Sequence, residues 1–392
     1  MIEVLIKKRI WDTVEKDYYK LYFISICIAG MSILMITSAT YSESGMFYVS
    51  RQLIFILVGV MLMVIGAHFN ILIFLFKHSK AVYIIAVILL LLLKSSLGVS
   101  SHGATRWLRI PFIQIQPVEV MKFGLIVLLA RFIYKYHKFI GSFKMTIYCW
   151  IFGIIPALLT LKLSSDLSSS LVILGITFGL TLSFNKTIRF QVPIFIMIFG
   201  VIFGYILYIN NNLPDVQNLS NYSYRVVRIA AWLHPEQYPD IAYQTQSALY
   251  GIGSAGLMGV GLGKNYVLIP EEHTDFIFAL LTHQLGIFGG IGLILAYAYM
   301  LFQIMKIAIN ATSIYDTILA TGIFIHIALQ VVINICVATS LFPNTGLPLP
   351  IMSYGGSSTL MTFMELGICV SISKKSVLKY CNWLLLKNKG SK

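Results

Sequence analysis

Ten long apolar runs divide the chain, and each is close to the length of about 20 residues that a helix needs to cross a bilayer. Short segments rich in charged residues, glycine or proline separate these runs. The pattern predicts an all-α polytopic membrane protein with about ten transmembrane helices. The predicted spans cover residues 20–40, 51–69, 80–98, 118–136, 144–162, 168–185, 190–210, 274–305, 316–340 and 353–373.

The longest break in hydrophobicity covers residues 211–274, between the seventh and eighth predicted spans. It contains amphipathic stretches at Tyr224–Leu233 and 243–250. A loop of this length inside a compact protein is usually functional. Two further irregular loops, at 104–117 and 341–352, are predicted at the same end of the bundle. The chain is therefore divided into an N-terminal segment (1–19), one membrane domain (20–373) and a basic tail (374–392).

Composition supports a membrane location, because 58% of the residues are hydrophobic and only 11% are charged. Soluble domains are about 45–50% apolar and about 25% charged. The chain has 29 lysines and arginines against 15 acidic residues. About two thirds of these cations fall in segments that share one side of the membrane if both termini are cytoplasmic, which fits the positive-inside rule. No basic cluster is interleaved with aromatic residues, so no nucleic-acid partner is predicted.

With both termini inside, seven spans precede Asp275, and this residue faces the extracytoplasmic side. The apolar run from Leu21 to about Ala39 is longer than the apolar core of a signal peptide, so no cleavable signal is predicted. The five cysteines lie in apolar runs or in the basic tail, and they imply neither a disulfide framework nor a metal site.

Several short motifs are better explained by structure than by chemistry. Residues 251–256 match G-x-G-x-x-G but lack the strand–turn–helix context of a dinucleotide site, and a flexible glycine loop continuing to Gly263 is the better interpretation. The S-x-x-K match at 371–374 lies at the inner end of the last span and is dismissed. Three glycine pairs with G-x-x-x-G spacing predict close helix packing. These pairs are Gly175/Gly179, Gly200/Gly204 and Gly286/Gly290.

Asp275 is the strongest candidate for chemistry, because it lies in the stretch PEEHTDFIF, directly before an apolar run. A carboxylate at the mouth of a membrane helix has a pKa that burial and neighbouring charges can tune. A proton-accepting role is therefore predicted for it.

Basic residues on the same predicted face suit a phosphate or pyrophosphate ligand, since a guanidinium binds such oxygens bidentately. Arg106 and Arg109 lie in the loop before the fourth span, and Arg225 and Arg228 lie in the long loop. The alternative for the second pair, which is spaced i,i+3, is a solvated helix face.

Glu119 and Lys122 are also spaced i,i+3, on the outer end of the fourth span. They form either an internal ion pair or part of the ligand site. Asp166 is predicted to cap the sixth span. His326 and Glu365 lie in apolar spans, and interhelical hydrogen bonding is predicted for both.

Five stretches together resemble the SEDS proteins, the RodA/FtsW/SpoVE group named for shape, elongation, division and sporulation. These stretches read GATRW (103–107), QPVEVMK (116–122), QTQSALYGIGSAGLMGVGLGKN (244–265), PEEHTDFIF (270–278) and FPNTGLPLPIMSYGGSS (342–358). The resemblance covers every long outer loop and agrees with the number of spans.

The resemblance implies a peptidoglycan glycosyltransferase that polymerises lipid II on the outer face of the bacterial cytoplasmic membrane, for cell shape, division or sporulation. It also implies a class B penicillin-binding protein as transpeptidase partner, together with other cell-wall synthesis machinery. Asp275 takes the position of the family's essential acidic residue, and Glu119 and Lys122 take those of the Q-P-x-E-x-x-K motif. The predicted substrate-binding residues are Arg106, Trp107, Arg109, Glu119, Lys122, Arg225, Arg228, Gln246, His273, Thr274, Ser353, Gly355, Gly356 and Ser357.

The chain departs from the family pattern at two places. Residues 165–169 read SDLSS where members often read PDLGT, and Thr282-His283-Gln284 replaces a usual G-E-E triplet. The second change removes two carboxylates, and it indicates a slower or specialised member if those groups tune Asp275 or bind a cation.

In the predicted mechanism, Asp275 accepts a sugar hydroxyl proton while Arg106, Lys122 and the two arginines of the long loop neutralise the pyrophosphate. No cofactor is assigned, although a divalent cation (Mg or Mn) could take part of the arginine role. Two alternatives remain, a flippase or transporter for the lipid-linked precursor and a noncatalytic scaffold for a transpeptidase.

Overall fold

The computed structural model describes residues 2–44, 46–68, 70–101, 104–110, 113–137, 142–184, 188–264, 267–344 and 346–389. Within these ranges the chain forms twelve α-helices and one three-stranded sheet. The helices are α1 (Ile2–Ser44), α2 (Phe47–His68), α3 (Ile71–Leu91), α4 (Pro117–Lys135), α5 (Phe143–Leu163), α6 (Leu167–Phe184), α7 (Ile188–Asn211), α8 (Tyr224–Leu233), α9 (Pro239–Ser254), α10 (Ile277–Ile309), α11 (Ile314–Ala338) and α12 (Gly356–Lys389). Gly103, Asn265 and Thr345, which belong to three of the quoted motifs, lie outside the described residues.

Eight segments within the described residues are long and apolar enough to cross a membrane, which confirms a helical multi-pass membrane protein. They are Tyr18–Thr40, Phe47–His68, Ile71–Lys94, Phe143–Leu163, Leu167–Phe184, Ile188–Asn211, Ile277–Ile309 and Ile314–Ala338. The fourth and tenth predicted spans correspond to α4 and the first part of α12. Both carry ionisable residues in stretches that other helices bury, which removes those residues from lipid.

The two ends of the helix bundle differ in chemistry. At one end, the ammonium of Lys374 on α12 lies 5.5 Å from the ring of Tyr18 on α1. Ser38 lies about 30 Å further along α1, at 1.5 Å per residue, and donates to Gln284 at the N-terminal part of α10. The first end, where Arg131 also donates to the carbonyl of Lys77, is rich in basic residues. The opposite end holds the long loops.

The loop predicted at 104–117 contains a small antiparallel sheet that the sequence analysis did not predict. Its strands are β1 (Gly98–Ser101), β2 (Ala104–Ile110) and β3 (Ile113–Ile115), in the order β1-β2-β3. Leu108 on β2 pairs with β3 and is 1% exposed, so the sheet is anchored on the bundle. This anchoring gives Arg106 a fixed position.

Some predicted boundaries were wrong. The third span was predicted at 80–98, but α3 begins at Ile71 because the apolar run before Lys77 is already helical, with a local kink at His78. The predicted basic tail continues α12, which runs as one helix to Lys389. The amphipathic stretch Tyr224–Leu233 is confirmed as α8, and 243–250 lies within α9.

The glycine-rich segment after α9 packs against a break in α10. Gly286 has φ 74° and ψ −174°, which interrupts the helix. The amides of Val260 and Gly261 donate to the carbonyls of His283 and Gln284, each at 3.0 Å. Backbone groups freed by the break thus find partners in the loop, as buried backbone in a membrane protein requires. The prediction of a flexible loop was wrong for this segment.

The glycine pairs therefore have different roles. Gly175 and Gly179 face the side chains of Leu329 and Ile325 on α11, which confirms helix packing there. Gly286 instead permits the helix break. A Cβ at Gly200 or Gly204 on α7 would meet nothing within 4 Å among the described residues, so the packing interpretation was wrong for that pair.

Candidate active site

Asp275 lies in the turn that leads into α10, at the end of the bundle that holds the long loops. Its side chain faces a cavity of about 250 Å³ built from several of those loops. The cavity is lined by Arg106, Trp107, Gln116, Arg228, Gln244, Glu271, Thr274, Asp275, Gly346, Pro348, Tyr354, Gly355 and Ser358. Segments more than 200 residues apart in sequence thus meet around one carboxylate.

The electrostatic environment of Asp275 places its pKa near the operating range of a general base. The pKa of this carboxyl is raised to about 6, chiefly by burial and then by the charge of Glu271. Arg106 and Arg228 lower it, while Asp166 adds a smaller upward contribution. The carboxylate is therefore ionised at neutral pH but more basic than an exposed aspartate.

Two buried contacts fix the backbone around Asp275. The Asn334 amide on α11 donates to the carbonyls of Asp275 and Leu347, both at 2.8 Å. Gly346, with φ 74°, lies over the site, and a Cβ there would come 2.7 Å from Nη1 of Arg106 and 3.5 Å from Oδ2 of Asp275. A glycine at 346 thus lets this loop cover the Arg106–Asp275 pair.

The arginines divide between two neighbouring cavities. Arg106 on β2 and Arg228 on α8 line both the main cavity and a smaller one, whereas Arg225 lines only the smaller one. Nη2 of Arg225 donates to the carbonyl of Leu161 at 2.7 Å, and Nη1 of Arg228 donates to that of Asn344 at 3.1 Å. The interpretation of 225 and 228 as a solvated helix face was therefore wrong. Arg109 is exposed and lines neither cavity.

Glu119 and Lys122 form the internal ion pair that was one of the two predicted alternatives. Their Nζ–Oε1 distance is 2.6 Å, and neither side chain is more than 2% exposed. Gln116, one turn before Glu119, lines the cavity, but the pair itself does not. The pair is buried within the bundle, and the two opposite charges balance each other.

Other predicted residues build the loops that frame the cavity. Ser353 donates to the carbonyl of Thr274 at 2.5 Å and accepts from the amide of Leu349. The His273 ring lies 4.8 Å from that of Tyr48, and its carbonyl accepts from the amide of Tyr354 at 2.8 Å.

The remaining predicted residues have separate positions. Ser357 accepts from the amide of Gln116 at 2.9 Å. Gly356 lies against the ring of Phe55. Gln246 lines a third cavity beside Trp232, while Gln244, two residues earlier, lines the main cavity.

Two structural expectations away from the cavity are confirmed. Asp166 caps α6, accepting from the amide of Ser169 at 2.9 Å and from its hydroxyl at 2.8 Å. Nδ1 of His326 lies 2.9 Å from Oε1 of Glu365, across the α11–α12 interface.

Among the described residues, no three histidine, cysteine, aspartate or glutamate side chains come together in metal-binding arrangement. Glu271 and Asp275 are the carboxylates that line the main cavity. Two carboxylates with substrate phosphates are a usual way for proteins to hold Mg²⁺. A divalent cation therefore stays a prediction compatible with this cavity.

Comparison with known proteins agrees with the resemblance. The family model FtsW/RodA/SpoVE, described as "Cell cycle protein", matches residues 19–377. The chain belongs to this family. Stage V sporulation protein E of Bacillus subtilis (strain 168) is 30% identical over 366 residues, which cover 91% of this chain and 96% of the relative. The peptidoglycan glycosyltransferase MrdB of Escherichia coli (strain K12) is 29% identical over 371 residues, covering 93% and 95%.

Solved structures share the fold of this family member. A chain from a study of "structural coordination of polymerization and crosslinking by a peptidoglycan synthase complex" superposes with a TM-score of 0.75 at 24% identity, covering 91% of this chain and 98% of that one. The rod shape determining protein RodA of Thermus thermophilus superposes with a TM-score of 0.64 at 24% identity, covering 91% and 96%.

The triplet that departs from the family pattern does not line the cavity. His283 is fully buried, with Nδ1 3.0 Å from the carbonyl of Gly251, and Oε1 of Gln284 accepts from Ser38 at 2.7 Å. These side chains connect α10 to α9 and α1. In this chain the triplet therefore supports the broken part of α10 and does not contribute charge to the site.

Several cavity residues were missed by sequence reasoning, although each lies in or next to a recognised motif. They are Gln116, Gln244, Glu271, Gly346, Pro348, Tyr354 and Ser358. The motifs identified the correct loops but not which of their side chains face the cavity.

Proposed function

We propose that this chain is a peptidoglycan glycosyltransferase that polymerises lipid II, with Asp275 as the proton acceptor. The observation that carries the proposal is the convergence of Asp275, Arg106 and Arg228 on one cavity at the loop end of the bundle. Membership in a family whose relatives are named as peptidoglycan glycosyltransferases supports the same conclusion.

The reaction forms a glycosidic bond between the hydroxyl of one lipid-linked sugar and the anomeric carbon of another. The bond from that carbon to the diphosphate oxygen breaks, and its electron pair leaves with the lipid diphosphate. Asp275 accepts the hydroxyl proton, a contribution of about 10²–10⁴ in rate. Arg106 and Arg228 stabilise the negative charge that develops on the diphosphate.

A single proton acceptor is sufficient for this chemistry. A diphosphate is a stable anion, so its departure needs cations more than a general acid. Glycoside hydrolases instead use two carboxylates, because their leaving group must be protonated. The arginines at this cavity fit the first requirement. If Mg²⁺ or Mn²⁺ takes part, Glu271 and Asp275 would hold it, and it would supply further neutralisation of the diphosphate.

The proposed reaction takes place on the extracytoplasmic side. The end opposite the cavity is rich in basic residues, and the positive-inside rule assigns such an end to the cytoplasm. A class B penicillin-binding protein is the proposed transpeptidase partner, since a solved relative of this fold comes from a peptidoglycan synthase complex. The partner would cross-link the strands that this chain extends.

The test is polymerisation of lipid II by the purified protein. Asp275→Asn should lower the rate at least about 10²-fold, because the amide cannot accept the proton. Asp240→Asn, which removes an exposed carboxylate at the start of α9, is the matched control and should retain wild-type activity. An Asp275→Asn variant that polymerises as fast as the wild type would remove the base assignment.

The flippase alternative has one structural observation in its favour. The buried His326–Glu365 pair and the Lys375–Asp316 pair at the basic end lie away from the residues that line the cavity. Pairing of ionisable groups is also the ordinary way to stabilise helices in lipid. Lipid II movement across vesicles without glycan synthesis, retained in Asp275→Asn, would favour the flippase.

A further inference from the structure

A smaller cavity adjoins the main one, and Arg106 and Arg228 line both. The smaller cavity has a volume of about 30 Å³. Since one water needs about 10–15 Å³ by this measure, the space is close to that of a single phosphate group and excludes a sugar ring.

The lining of this cavity is strongly cationic. Arg225 joins the two shared arginines there. The neighbouring carboxylate of Asp166 is already engaged by the amide and the hydroxyl of Ser169 at the start of α6. Three arginines therefore line this space, and the described residues that line it include no aspartate or glutamate.

Two hydroxyls complete the cavity. Ser168, in the first turn of α6, is fully buried, and its Oγ has no hydrogen-bond partner. A buried hydroxyl without a partner is costly, so its position at a cavity wall indicates that Ser168 donates to an acceptor atom of a ligand. Ser165 accepts from Nη2 of Arg225 at 3.5 Å, which leaves its own proton available for donation.

We propose that this smaller cavity binds the lipid-side phosphate of the diphosphate, while the main cavity binds the sugar-side phosphate next to Asp275. This inference rests on the proposed function and names the subsite for the second phosphate. The two shared arginines lie where they contact both phosphates at once. A diphosphate then gains contacts that a monophosphate lacks, and these come from Arg225, Ser165 and Ser168.

The subsite predicts a preference that can be measured without catalysis. Isothermal titration of the intact protein in detergent should show a short-chain prenyl diphosphate binding at least about tenfold more tightly than the matching prenyl monophosphate. Ser168→Ala and Arg225→Gln should each reduce this ratio about three- to tenfold, with little change in monophosphate affinity. Arg189→Gln, which removes an arginine from α7 far from the cavity, should leave the ratio unchanged.

Other anions identify the source of the phosphate. Inorganic pyrophosphate should compete with the prenyl diphosphate, whereas phosphatidylglycerol, a phosphodiester headgroup, should not. Equal loss of affinity for mono- and diphosphate in the variants would overturn the subsite, as would effective competition by phosphatidylglycerol. If lipid II polymerisation is absent but the diphosphate preference depends on Ser168 and Arg225, the proposed function fails and the subsite stands.

Discussion

Asp275 can accept a proton only when it is ionised, so its raised pKa predicts an acidic limb in the pH–rate profile. With a pKa of about 6, the ionised fraction falls about tenfold between pH 7 and pH 5. The rate of lipid II polymerisation should fall by the same factor and level off above pH 7. Initial rates in a series of buffers check this, and a flat profile between pH 5 and 7 would contradict it.

The neighbours of Asp275 provide an internal control for that profile. Glu271→Gln removes a charge that raises the Asp275 pKa, so the acidic limb should move to lower pH. Arg228→Gln removes a charge that lowers it, so the limb should move to higher pH. Opposite shifts from two cavity residues distinguish titration of Asp275 from general damage to the site.

Asn334 is predicted to be a positioning residue for Asp275. Asn334→Ala removes the two hydrogen bonds, each 2.8 Å long, that the Asn334 amide donates to the carbonyls of Asp275 and Leu347. The expected result is a fall in kcat of about 10- to 100-fold with little change in KM, since a misplaced base impairs chemistry more than binding. A kcat equal to that of the wild type, in a variant with an unchanged melting temperature, would contradict this role.

The individual residues that line the cavity show what the sequence could and could not predict. Arg106, Trp107, Arg228, Thr274 and Gly355 were predicted and do line the cavity. Gln246 was predicted, but Gln244 lines the main cavity in its place. Residues two apart on a helix point about 200° apart, and the motif contains both, so only the packing of α9 selects between them.

Among the elements, the break in α10 predicts a specific sensitivity to a methyl group. Gly286→Ala places a side chain at φ 74° and against the backbone of Leu257 and Gly259. Backbone strain of this kind costs about 1–3 kcal/mol, and the close approach adds to it. The melting temperature of the purified protein should therefore fall by several degrees.

Gly253→Ala on α9 is the matched control, because a Cβ there meets nothing within 4 Å. Alanine is favoured over glycine within a helix by about 0.5–1 kcal/mol, so this variant should be as stable as the wild type or slightly more stable. Equal melting temperatures for the two alanine variants would show that the break in α10 is not structurally required.

The break in α10 also illustrates which elements of the fold the sequence reveals and which it does not. Apolar runs of about 20 residues predicted that the chain crosses the membrane as several helices, because lipid requires such runs, but they did not place every boundary. Gly286 and Gly290 have the same spacing as a helix-packing pair, so the sequence did not distinguish a break from a contact. The strands of the sheet are only 3 to 7 residues long, and no such segment gives a clear alternating pattern.

Across the whole molecule, charge is segregated along the bundle axis. The cavity end presents arginines around two carboxylates, Glu271 and Asp275, the interior contains paired ionisable groups, and the opposite end is basic. Internal pairing keeps the central helices compatible with lipid, while arginines line the cavity where an anionic substrate would bind. The arrangement therefore links the direction of insertion to the side on which the reaction occurs.

This link predicts a definite orientation in cells, with the cavity outside. In a variant lacking the native cysteines, Gln237→Cys, in the exposed loop between α8 and α9, should react with a membrane-impermeant maleimide in intact cells. His137→Cys, exposed just after α4 at the basic end, should react only after permeabilisation. The reverse pattern would place Asp275 in the cytosol, where an extracytoplasmic polymerase could not work. Labelling of both positions in intact cells would instead indicate leaky cells, which a cytosolic marker protein detects.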